Sequence, residues 1–462
     1  MLPCFSTDAS CPAIQLTPVV EKDFSTWSAA QPPHVQAWVT TAQFTGKSGS
    51  LCQTPNATGR LDQILFGISE LEDFWAYQGV SQGVMPGFYQ FGPSIQGQAL
   101  EVAALGWALG QYRFETYLAK KTVPAVLVLP PKFPREKIES LAEAIYLTRT
   151  LTNTPAEDMG PTQLAASTQQ LATQFGATYQ EVVGEALLQE NYPMIHAVGR
   201  ASDDAPRLLD LVWGDATAPR VTLVGKGVCF DTGGLDLKTS DGMLSMKKDM
   251  GGAAHVLGLA YAVMAAKLPI RLRVLIPAVE NAVSGNAYRP GDVFPTRKGL
   301  SVEIGNTDAE GRLVLSDALA AACEEAPELL IDFATLTGAA RVAVGTEIAS
   351  FFTNRDSLAT DLLESGTRCQ DPMWRLPLHQ PYRSLLDSPI ADINNAGTGG
   401  YAGAITAALF LQEFVEPTID WVHFDIMAWN ARRAKGRALG AEAMGLRAVF
   451  AYLQKRFGKN PA

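Results

Sequence analysis

The chain has 462 residues, of which 47% are hydrophobic and 18% are charged. This balance is typical of a globular enzyme with a well-buried core, and it excludes an intrinsically disordered or coiled-coil protein. Lys and Arg total 37 against 47 Asp and Glu, which gives a formal net charge of −10, and the first 150 residues hide no basic domain. The charge therefore argues against non-specific binding to nucleic acid or anionic membranes.

The N-terminus and the cysteines predict the compartment. The opening residues MLPCFSTDAS carry neither an early positive charge nor an apolar core, so they do not read as a secretory signal. No run of roughly 18 apolar residues predicts a transmembrane helix. The 6 cysteines are scattered without a Cys-x-x-Cys pair, which favours free thiols in a reducing compartment. We therefore expect a cytoplasmic protein with no membrane partner.

The first part of the chain, residues 1–133, predicts a smaller N-terminal α/β domain. His34–Phe44 alternates loosely as a strand, and Leu61–Ile68 and Val123–Leu129 are short apolar runs of strand length. Ala99–Leu118 has helical spacing and no internal proline. This domain shows no catalytic constellation, and its role stays open.

A charged helix is predicted to connect this domain to the rest, over residues 134–154. It begins at Pro134, which suits a first helical turn, and acidic residues follow there as the helix dipole favours. It ends before Pro155, because proline disfavours helix in the residue that precedes it. We place the domain boundary on this helix.

Residues 155–462 predict a larger catalytic α/β domain, with strands and helices in alternation. Its main predicted elements are strands at Val221–Val224, Leu272–Ile276, Leu329–Phe333 and Trp421–Ile426, and helices at Gly252–Ala266, Leu313–Glu325 and Ala402–Phe414. Such alternation predicts a mostly parallel central sheet covered by helices on both faces. In such sheets ligands bind at the carboxyl ends of the strands.

Two glycine-rich segments each place a lysine near an aspartate. In the first, the strand at Val221–Val224 runs into a turn with Lys226 and Asp231, which alone is equally well a turn with a surface lysine. In the second, Lys238 and Asp249 precede a glycine-rich apolar helix, and alone Asp249 is better interpreted as its N-cap. The spacing of a phosphate-binding Gly-x-x-x-x-Gly-Lys-Ser/Thr loop is absent.

A third segment follows the short strand predicted at Ser301–Ile304. It carries Asp308 and Glu310 on a turn before the next helix, where two carboxylates two residues apart can face the same way. Alone, this segment is also compatible with a capping turn and an exposed Arg312. A calcium loop would need more oxygen ligands at regular spacing.

Together the segments predict a metal centre. Asp231, Asp249, Asp308 and Glu310 each lie at a glycine-flanked strand-to-helix junction of the same predicted sheet. Four carboxylates converging there would repel one another unless cations neutralise them. An all-oxygen cluster of this kind suits two divalent ions.

Other residue types do not offer an alternative nucleophile or metal site. The histidines show no His-Glu-x-x-His spacing, and we interpret His255 and His423 as packed core residues. There is no Gly-x-Ser-x-Gly motif, and Cys229 has apolar neighbours, a setting that raises a thiol pKa.

The run NTDAEGRLVLSDAL, Asn306–Leu319, resembles the signature of the leucine aminopeptidase family, the cytosol aminopeptidases. The companion blocks GKGVCFDTGGLDLK, MKKDMGGAA, ENAVSGNAYRPGDV and ATLTGA stand in the order of that family. The resemblance covers the chain from about Arg149 to its C-terminus, whereas the N-terminal part resembles the family only loosely.

The resemblance implies a two-metal exopeptidase that takes Zn, Mn or Mg. Asp231 and Glu310 would bridge both ions, Asp308 would complete the tighter site, and Lys226 and Asp249 would belong to the more exchangeable site. A lysine ligand must be neutral, and two adjacent cations would lower its pKa enough.

The resemblance also implies the remaining roles. Lys238 would polarise the scissile carbonyl, and Arg312 would hold a bicarbonate ion that acts as general base. The substrate cleft would be lined by the turn with Thr335, Leu336 and Gly338, and by Met246, for which plain core packing is nearly as good an interpretation. That apolar wall favours Leu or Met as the released residue.

The sequence leaves several readings open. The leading one is an aminopeptidase acting on peptides with a free N-terminus, assembled as a homohexamer as in the family. Alternatives are a narrow dipeptidase, for example for Cys-Gly, a member with an added DNA-binding regulatory role, and a two-metal phosphoesterase. The native metal, the physiological substrate and the role of the N-terminal domain are not determined by these motifs.

Overall fold

The computed structural model describes residues 2–56, 58–433 and 436–458. The chain divides into two compact units, Met1–Tyr146 with Arg432–Leu439 and Leu147–Ala431 with Gly440–Ala462. The division along the chain falls inside one long helix, Arg135–Asn153. A short segment near the C-terminus thus belongs to the first unit, which local sequence patterns did not indicate.

The first unit is an α/β domain built on a 6-stranded sheet in the order β1-β6-β5-β2-β4-β3, in which β3 and β4 pair antiparallel and the other neighbours pair parallel. Its elements are β1 (Phe5–Ser6), β2 (Ile14–Val20), α1 (Phe24–Ala29), α2 (Pro33–Thr41), β3 (Leu51–Pro55), β4 (Leu61–Ile68), α3 (Phe74–Gly83), β5 (Phe88–Phe91), α4 (Gly97–Gln111), β6 (Val126–Val128) and the first part of α5 (Arg135–Asn153), with a 3₁₀ helix at Glu21–Asp23.

One strand prediction in this unit is wrong. Most of the segment His34–Phe44 lies in helix α2, not in a strand. This helix begins at Pro33 and buries Val35 and Val39 on one face. These two residues are four apart, the spacing of a helix face, and proline at the first turn favours helix initiation. The strand at Leu61–Ile68 is confirmed, whereas the helix predicted at Ala99–Leu118 ends earlier, at Gln111.

The second unit carries the remaining elements. In chain order these are α6 (Pro161–Phe175), β7 (Thr178–Val183), α7 (Ala186–Gln189), α8 (Pro193–Gly199), β8 (Arg207–Trp213), β9 (Arg220–Gly225), β10 (Gly227–Asp231), α9 (Ser240–Met243), α10 (Gly251–Ala265), β11 (Arg271–Asn281), β12 (Val293–Pro295), β13 (Ser301–Glu303), α11 (Glu310–Cys323), β14 (Leu329–Ala334), α12 (Gly338–Val344), β15 (Ala349–Thr353), α13 (Asp356–Arg368), β16 (Met373–Arg375), β17 (Ile393–Asn394), α14 (Gly403–Gln412), β18 (Asp420–Asp425), β19 (Trp429–Asn430), β20 (Gly440–Ala441) and α15 (Leu446–Phe457), with 3₁₀ helices at Ala156–Asp158, Met246–Met250 and Gln380–Leu386.

The second unit is organised around a 9-stranded sheet in the order β16-β15-β18-β14-β9-β11-β8-β7, with β10 also paired to β11. The central strands β18, β14, β9 and β11 run parallel, and antiparallel pairs lie towards the edges. Helix α10 packs on β9 and β14 together with α6 and α15, whereas α11 packs on β9 and β11 together with α8 and α14. The predicted α/β class, with a mostly parallel sheet covered on both faces, is confirmed.

Helix α10 shows how deeply this sheet is covered. Nearly every residue from Gly251 to Met264 is buried, and the helix is accordingly apolar on all of its faces. Such a pattern marks an internal helix of a large domain. Within the described ranges of the chain, no helix combines the length and apolarity needed to cross a membrane.

Candidate active site and metal centre

A cleft of about 570 Å³ opens at the carboxyl ends of the parallel strands. Lys226 follows β9, Asp231 ends β10, Thr335 follows β14, and Asp425 ends β18, and all four residues line this cleft. Neighbouring parallel strands end at the same edge of a sheet, so the topology itself gathers these side chains. The strand-end location expected from the sequence is the one that the fold produces.

Lys226 lies at the centre of one buried ion cluster. Its Nζ atom is 2.7 Å from Asp249 Oδ2, 2.9 Å from Glu310 Oε1 and 2.9 Å from the carbonyl oxygen of Thr335, to which it donates. The side chain is only 2% exposed. The simpler interpretation of this segment, a turn with a surface lysine, is therefore wrong.

The stem of Lys226 fits its place because α11 has a glycine there. A Cβ atom built on Gly311 would lie 2.6 Å from Lys226 Cε and 2.8 Å from its Cδ. Real Cβ atoms essentially never make contacts that short, so the buried stem of Lys226 would have to shift if a side chain were added here. The glycine in the NTDAEGR motif is thus a requirement of close packing.

Lys238 forms the second ion cluster. Its Nζ atom is 2.8 Å from Asp231 Oδ2, and it also pairs with Asp308 Oδ1. The other oxygen of Asp231 accepts hydrogen bonds from the backbone N–H of Gly233 and from Asn281 Nδ2, both at 2.9 Å. These donors orient the aspartate so that Oδ2 faces the cleft.

Three of the carboxylates meet closely enough to share a cation. Asp231, Asp308 and Glu310 each offer an oxygen, and these oxygens all lie within 4.8 Å of one another. Burial, together with the neighbouring charge of Asp231, raises the pKa of Glu310 to about 8 and also raises that of Asp308. The raised pKa values show that the negative charges of these carboxylates are not fully compensated. A cluster of hard oxygen donors this close together fits divalent ions.

The same cluster determines the protonation of Lys226. Burial lowers the pKa of this lysine, but Asp249, Glu310 and Asp231 raise it by more, so the net shift is upwards. In the metal-free chain Lys226 is therefore a cation that offsets the surrounding carboxylates.

Arg312 is buried, which corrects the interpretation of an exposed arginine in a capping turn. Its Nη1 donates to the carbonyl oxygen of Asn395 at 2.7 Å, and its Nε has no hydrogen-bond partner in the part of the chain that the structure describes. Burial lowers the pKa of Arg312 to about 10. A buried guanidinium with a free donor is a site that an anion can fill.

Asp249 does not cap the following helix, although that was the better interpretation of its segment alone. It lies within the 3₁₀ helix Met246–Met250, and the N-cap of α10 is Met250. Its Oδ1 accepts from the hydroxyl of Thr335 at 2.8 Å, and its Oδ2 faces Lys226. Both carboxylate oxygens of Asp249 therefore bind groups at the cleft rather than the N-terminus of α10.

The predicted substrate-contact residues lie on two walls of the cleft. Met246 is at the start of the 3₁₀ helix, and Thr335, Leu336 and Gly338 form the turn between β14 and α12. Every predicted site residue except Arg312 lines the cleft. Arg312 lies on the first turn of α11, two residues after Glu310.

The structure adds residues that sequence reasoning missed. Asp425 accepts from the backbone N–H groups of Leu336 and Thr337, both at 3.1 Å, and from the Thr337 hydroxyl at 2.6 Å, so it shapes the turn between β14 and α12. Its signal was available, because it lies at the carboxyl end of a predicted parallel strand. Lys248 and Arg341 also line the cleft; Lys248 lies within the MKKDMGGAA block but received no role there, and no quoted block contains Arg341.

Two family models match the chain. The model described as "Cytosol aminopeptidase family, catalytic domain" matches residues 146–450, and the one described as "M17 aminopeptidase, N-terminal domain" matches residues 14–130. The chain belongs to the cytosol aminopeptidase family. It is accordingly a metallo-aminopeptidase, a hydrolase of peptide bonds.

Individual relatives agree with this assignment. The probable cytosol aminopeptidase of Chlamydia abortus is 42% identical over 365 residues, which cover 75% of this chain and 73% of the relative. The probable cytosol aminopeptidase of Chlamydia trachomatis is 42% identical over 350 residues, 74% and 70% of the two chains.

Solved structures of cytosol aminopeptidases and related enzymes share the fold over nearly the whole chain. The cytosol aminopeptidase from Coxiella burnetii superposes with a TM-score of 0.94 at 48% identity, covering 98% of this chain and 99% of its own. The bottromycin maturation enzyme BotP in complex with Mn superposes with a TM-score of 0.87 at 31% identity, covering 96% and 99%.

Proposed function

We propose that this aminopeptidase releases N-terminal amino acids from peptides with the help of two divalent metal ions held at the strand-end cleft. The observation that carries the proposal is the convergence of Asp231, Asp308 and Glu310 within 4.8 Å, beside two buried lysines. The relative BotP, crystallised in complex with Mn, supports a divalent ion, and oxygen-rich sites also admit Zn or Mg.

The residues proposed to hold the metals are those that line the base of the cleft. Asp231 and Glu310 would serve both ions, Asp308 one of them, and Lys226 and Asp249 the other. When bound, such ions supply Lewis-acid polarisation and lower the pKa of a water molecule. Lys226 must be neutral to act as a ligand, so loading this site would release its proton.

Lys238 is proposed to bind the oxygen of the scissile carbonyl group. Its Nζ already faces the cleft between Asp231 and Asp308, and a positive charge there stabilises the negative charge that develops on that oxygen. Asp249 and the carbonyl side of the Thr335 turn would receive the substrate's free amine. An acetylated amine loses both its positive charge and two of its hydrogens, which accounts for a restriction to free N-termini.

Arg312 is proposed to hold bicarbonate through its unpartnered Nε. The chemistry that this anion supplies when bound is that of a general base. Asn395 supports the arrangement, because its carbonyl oxygen fixes Nη1 while its side-chain oxygen accepts from the backbone N–H groups of Gly305 and Asn306.

Met246 and Leu336 supply an apolar wall that favours Leu or Met at the N-terminus of the peptide. A pocket of this kind discriminates by only about 1–3 kcal/mol per methylene group, so the preference is graded. By family resemblance we also propose a homohexamer, and a cytoplasmic location agrees with the free state of all cysteines and with the naming of the relatives.

The test is hydrolysis of leucine p-nitroanilide by metal-stripped protein, with and without added Mn²⁺ or Zn²⁺. We expect cleavage only when metal is restored, and none of N-acetyl-leucine p-nitroanilide under any condition. Cleavage of the acetylated substrate would contradict an aminopeptidase. Cleavage of Cys-Gly alone would replace this proposal with the narrow dipeptidase.

A further inference from the structure

Lys248 is a buried lysine that the proposed mechanism does not use. Its side chain is 7% exposed, yet it lines the substrate cleft. Its nearest carboxylate oxygen is Asp249 Oδ1, 3.9 Å from Nζ, and that oxygen already accepts a hydrogen bond from Thr335. Within the described ranges, Lys248 Nζ makes no hydrogen bond to another group. A lysine ammonium has three donors, so Nζ of Lys248 can donate to a group that enters the cleft.

A second cation, Arg341, lines the same cleft. Arg341, on α12, places Nη1 3.9 Å from the sulfur of Met427, and its Nη2 is 3.6 Å from the Cβ position of Gly338. Burial lowers the pKa of Lys248, and the positive charge of Arg341 acts in the same direction. Met246 and Met427 also line the cleft and supply apolar surface there.

The carboxylates that line the cleft fall into two groups. Asp231, Asp249, Asp308 and Glu310 carry four negative charges, which two divalent ions would neutralise in full, whereas Asp425 accepts from Thr337 and Asp241 is exposed. Lys248 is then not needed to offset the carboxylates. Two like charges facing one partly apolar space are stabilised by an anion that enters between them.

We propose that Lys248 and Arg341 bind the side-chain carboxylate of the substrate's N-terminal residue, so that the enzyme accepts N-terminal glutamate. The proximity of Lys248 to Asp249, which is assigned to the substrate amine, places this subsite beside the first residue. Glutamate matches the space, since its two methylene groups would lie along Met246 and Met427 and its carboxylate would reach the cations. This inference rests on the proposed aminopeptidase activity and specifies its substrate class.

The test compares peptide amides that differ only in the first residue, Glu-Ala-Ala-amide, Gln-Ala-Ala-amide and Leu-Ala-Ala-amide, with the metal-loaded enzyme. Gln has the shape of Glu without its charge, and the amide removes the C-terminal carboxylate from all three peptides. The informative quantity is the ratio of kcat/KM for Glu to that for Gln. We expect Lys248→Met to lower this ratio by about tenfold or more, and Arg341→Met to lower it less, because Arg341 is exposed.

Two controls separate specificity from folding. Lys267→Met removes an exposed lysine just after the other end of α10 and should leave the ratio unchanged. Lys248→Arg keeps the charge and should retain most of the preference. Binding of free L-glutamate and L-leucine, measured by calorimetry, gives a readout independent of turnover, and Lys248→Met should weaken glutamate more than leucine.

The outcomes distinguish the two levels of the argument. A Glu to Gln ratio that is the same in wild type and Lys248→Met overturns the subsite while cleavage of Leu-Ala-Ala-amide keeps the proposed function. The same comparison with Leu-Ala-Ala free acid tests a different role for Lys248. If Lys248→Met lowers kcat/KM for this free acid but not for Glu-Ala-Ala-amide, Lys248 binds the C-terminal carboxylate, and the inference as stated is overturned. Failure to cleave any of the peptides overturns the proposed function itself.

Discussion

The Nζ atom of Lys226 lies 2.7 Å from Oδ2 of Asp249, and both side chains are buried at the base of the substrate cleft. A buried ion pair of this kind adds little net stability compared with apolar residues, because both charges lose their hydration. Breaking it from one side is different, since the remaining carboxylate is then buried without a partner. The metal-free fold therefore depends on this lysine.

Lys226→Met should destabilise the metal-free protein by about 3–5 kcal/mol, because Asp249 and Glu310 lose their common cation. The measurement is the free energy of urea unfolding after treatment with EDTA. Added Mn²⁺ should recover part of the loss, as any ligand of the native state does. Lys267→Met is the matched control, and an equal loss in both variants would contradict the assignment.

Lys238→Met should act on turnover more than on stability. A positive group that faces a developing oxyanion is worth about 10²–10³ in kcat, and Lys238 is less deeply buried than Lys226, with 16% of its side chain exposed. Steady-state kinetics on leucine p-nitroanilide at saturating Mn²⁺ check this. Unchanged kcat with a raised KM would instead make Lys238 a residue that only binds the substrate.

Gly311→Ala tests the close packing of α11 against Lys226. Alanine is the better helix former by about 1 kcal/mol, so propensity alone predicts a gain in stability. We expect a net loss of about 1–3 kcal/mol and a fall in activity, because the new methyl group would overlap the stem of Lys226. Gly285→Ala is the control, since nothing lies within 4 Å of the added methyl group there. A more stable Gly311→Ala variant with full activity would refute this account.

His255 makes stability depend on pH. Its Nδ1–H donates to the carbonyl oxygen of Gly251 at 2.6 Å, and its Nε2 accepts from the backbone N–H of Met444 at 2.9 Å, which requires the neutral ring. Burial lowers the pKa of His255 to about 4. Since the unfolded chain takes up this proton near pH 6.5, protonation favours unfolding, and the stabilisation present above that pH is lost as the pH falls to about 4.

The expected size of the His255 effect is about 1.4 kcal/mol per pH unit, or about 3 kcal/mol across the window. The check is urea unfolding of the metal-stripped wild type and of His255→Gln at pH values from about 4 to 8. The stability difference between the two proteins should shrink as the pH falls through this range. A difference that is constant with pH would show that folding does not lower the pKa of His255.

Much of this protein could be predicted from short-range pattern. Apolar runs of strand length predicted the central strands, as at Leu329–Phe333 and Trp421–Ile426, because strands covered on both faces are mostly apolar. The polar residues within them, Asp332 and His423, are buried and hydrogen-bonded to each other. His34–Phe44 failed because a short segment of mixed polarity fits two periods, and only the burial of Val35 and Val39 against the first sheet selects the helix.

Local sequence pattern identified the residues that could carry the chemistry, because the carboxylates and lysines stand next to glycines and strand ends that any parallel sheet would bring to one edge. What each charge faces depends on the three-dimensional packing. From local pattern alone, Asp249 could cap α10 and Arg312 could be exposed to solvent. In the fold, Asp249 accepts from Thr335 after β14, and Arg312 on α11 donates to Asn395. The pairing of Lys226 with Asp249 depends on contacts between segments that are separated along the chain. The same holds for the lack of hydrogen-bond partners at Lys248 within the described residues. Local sequence pattern does not contain this information.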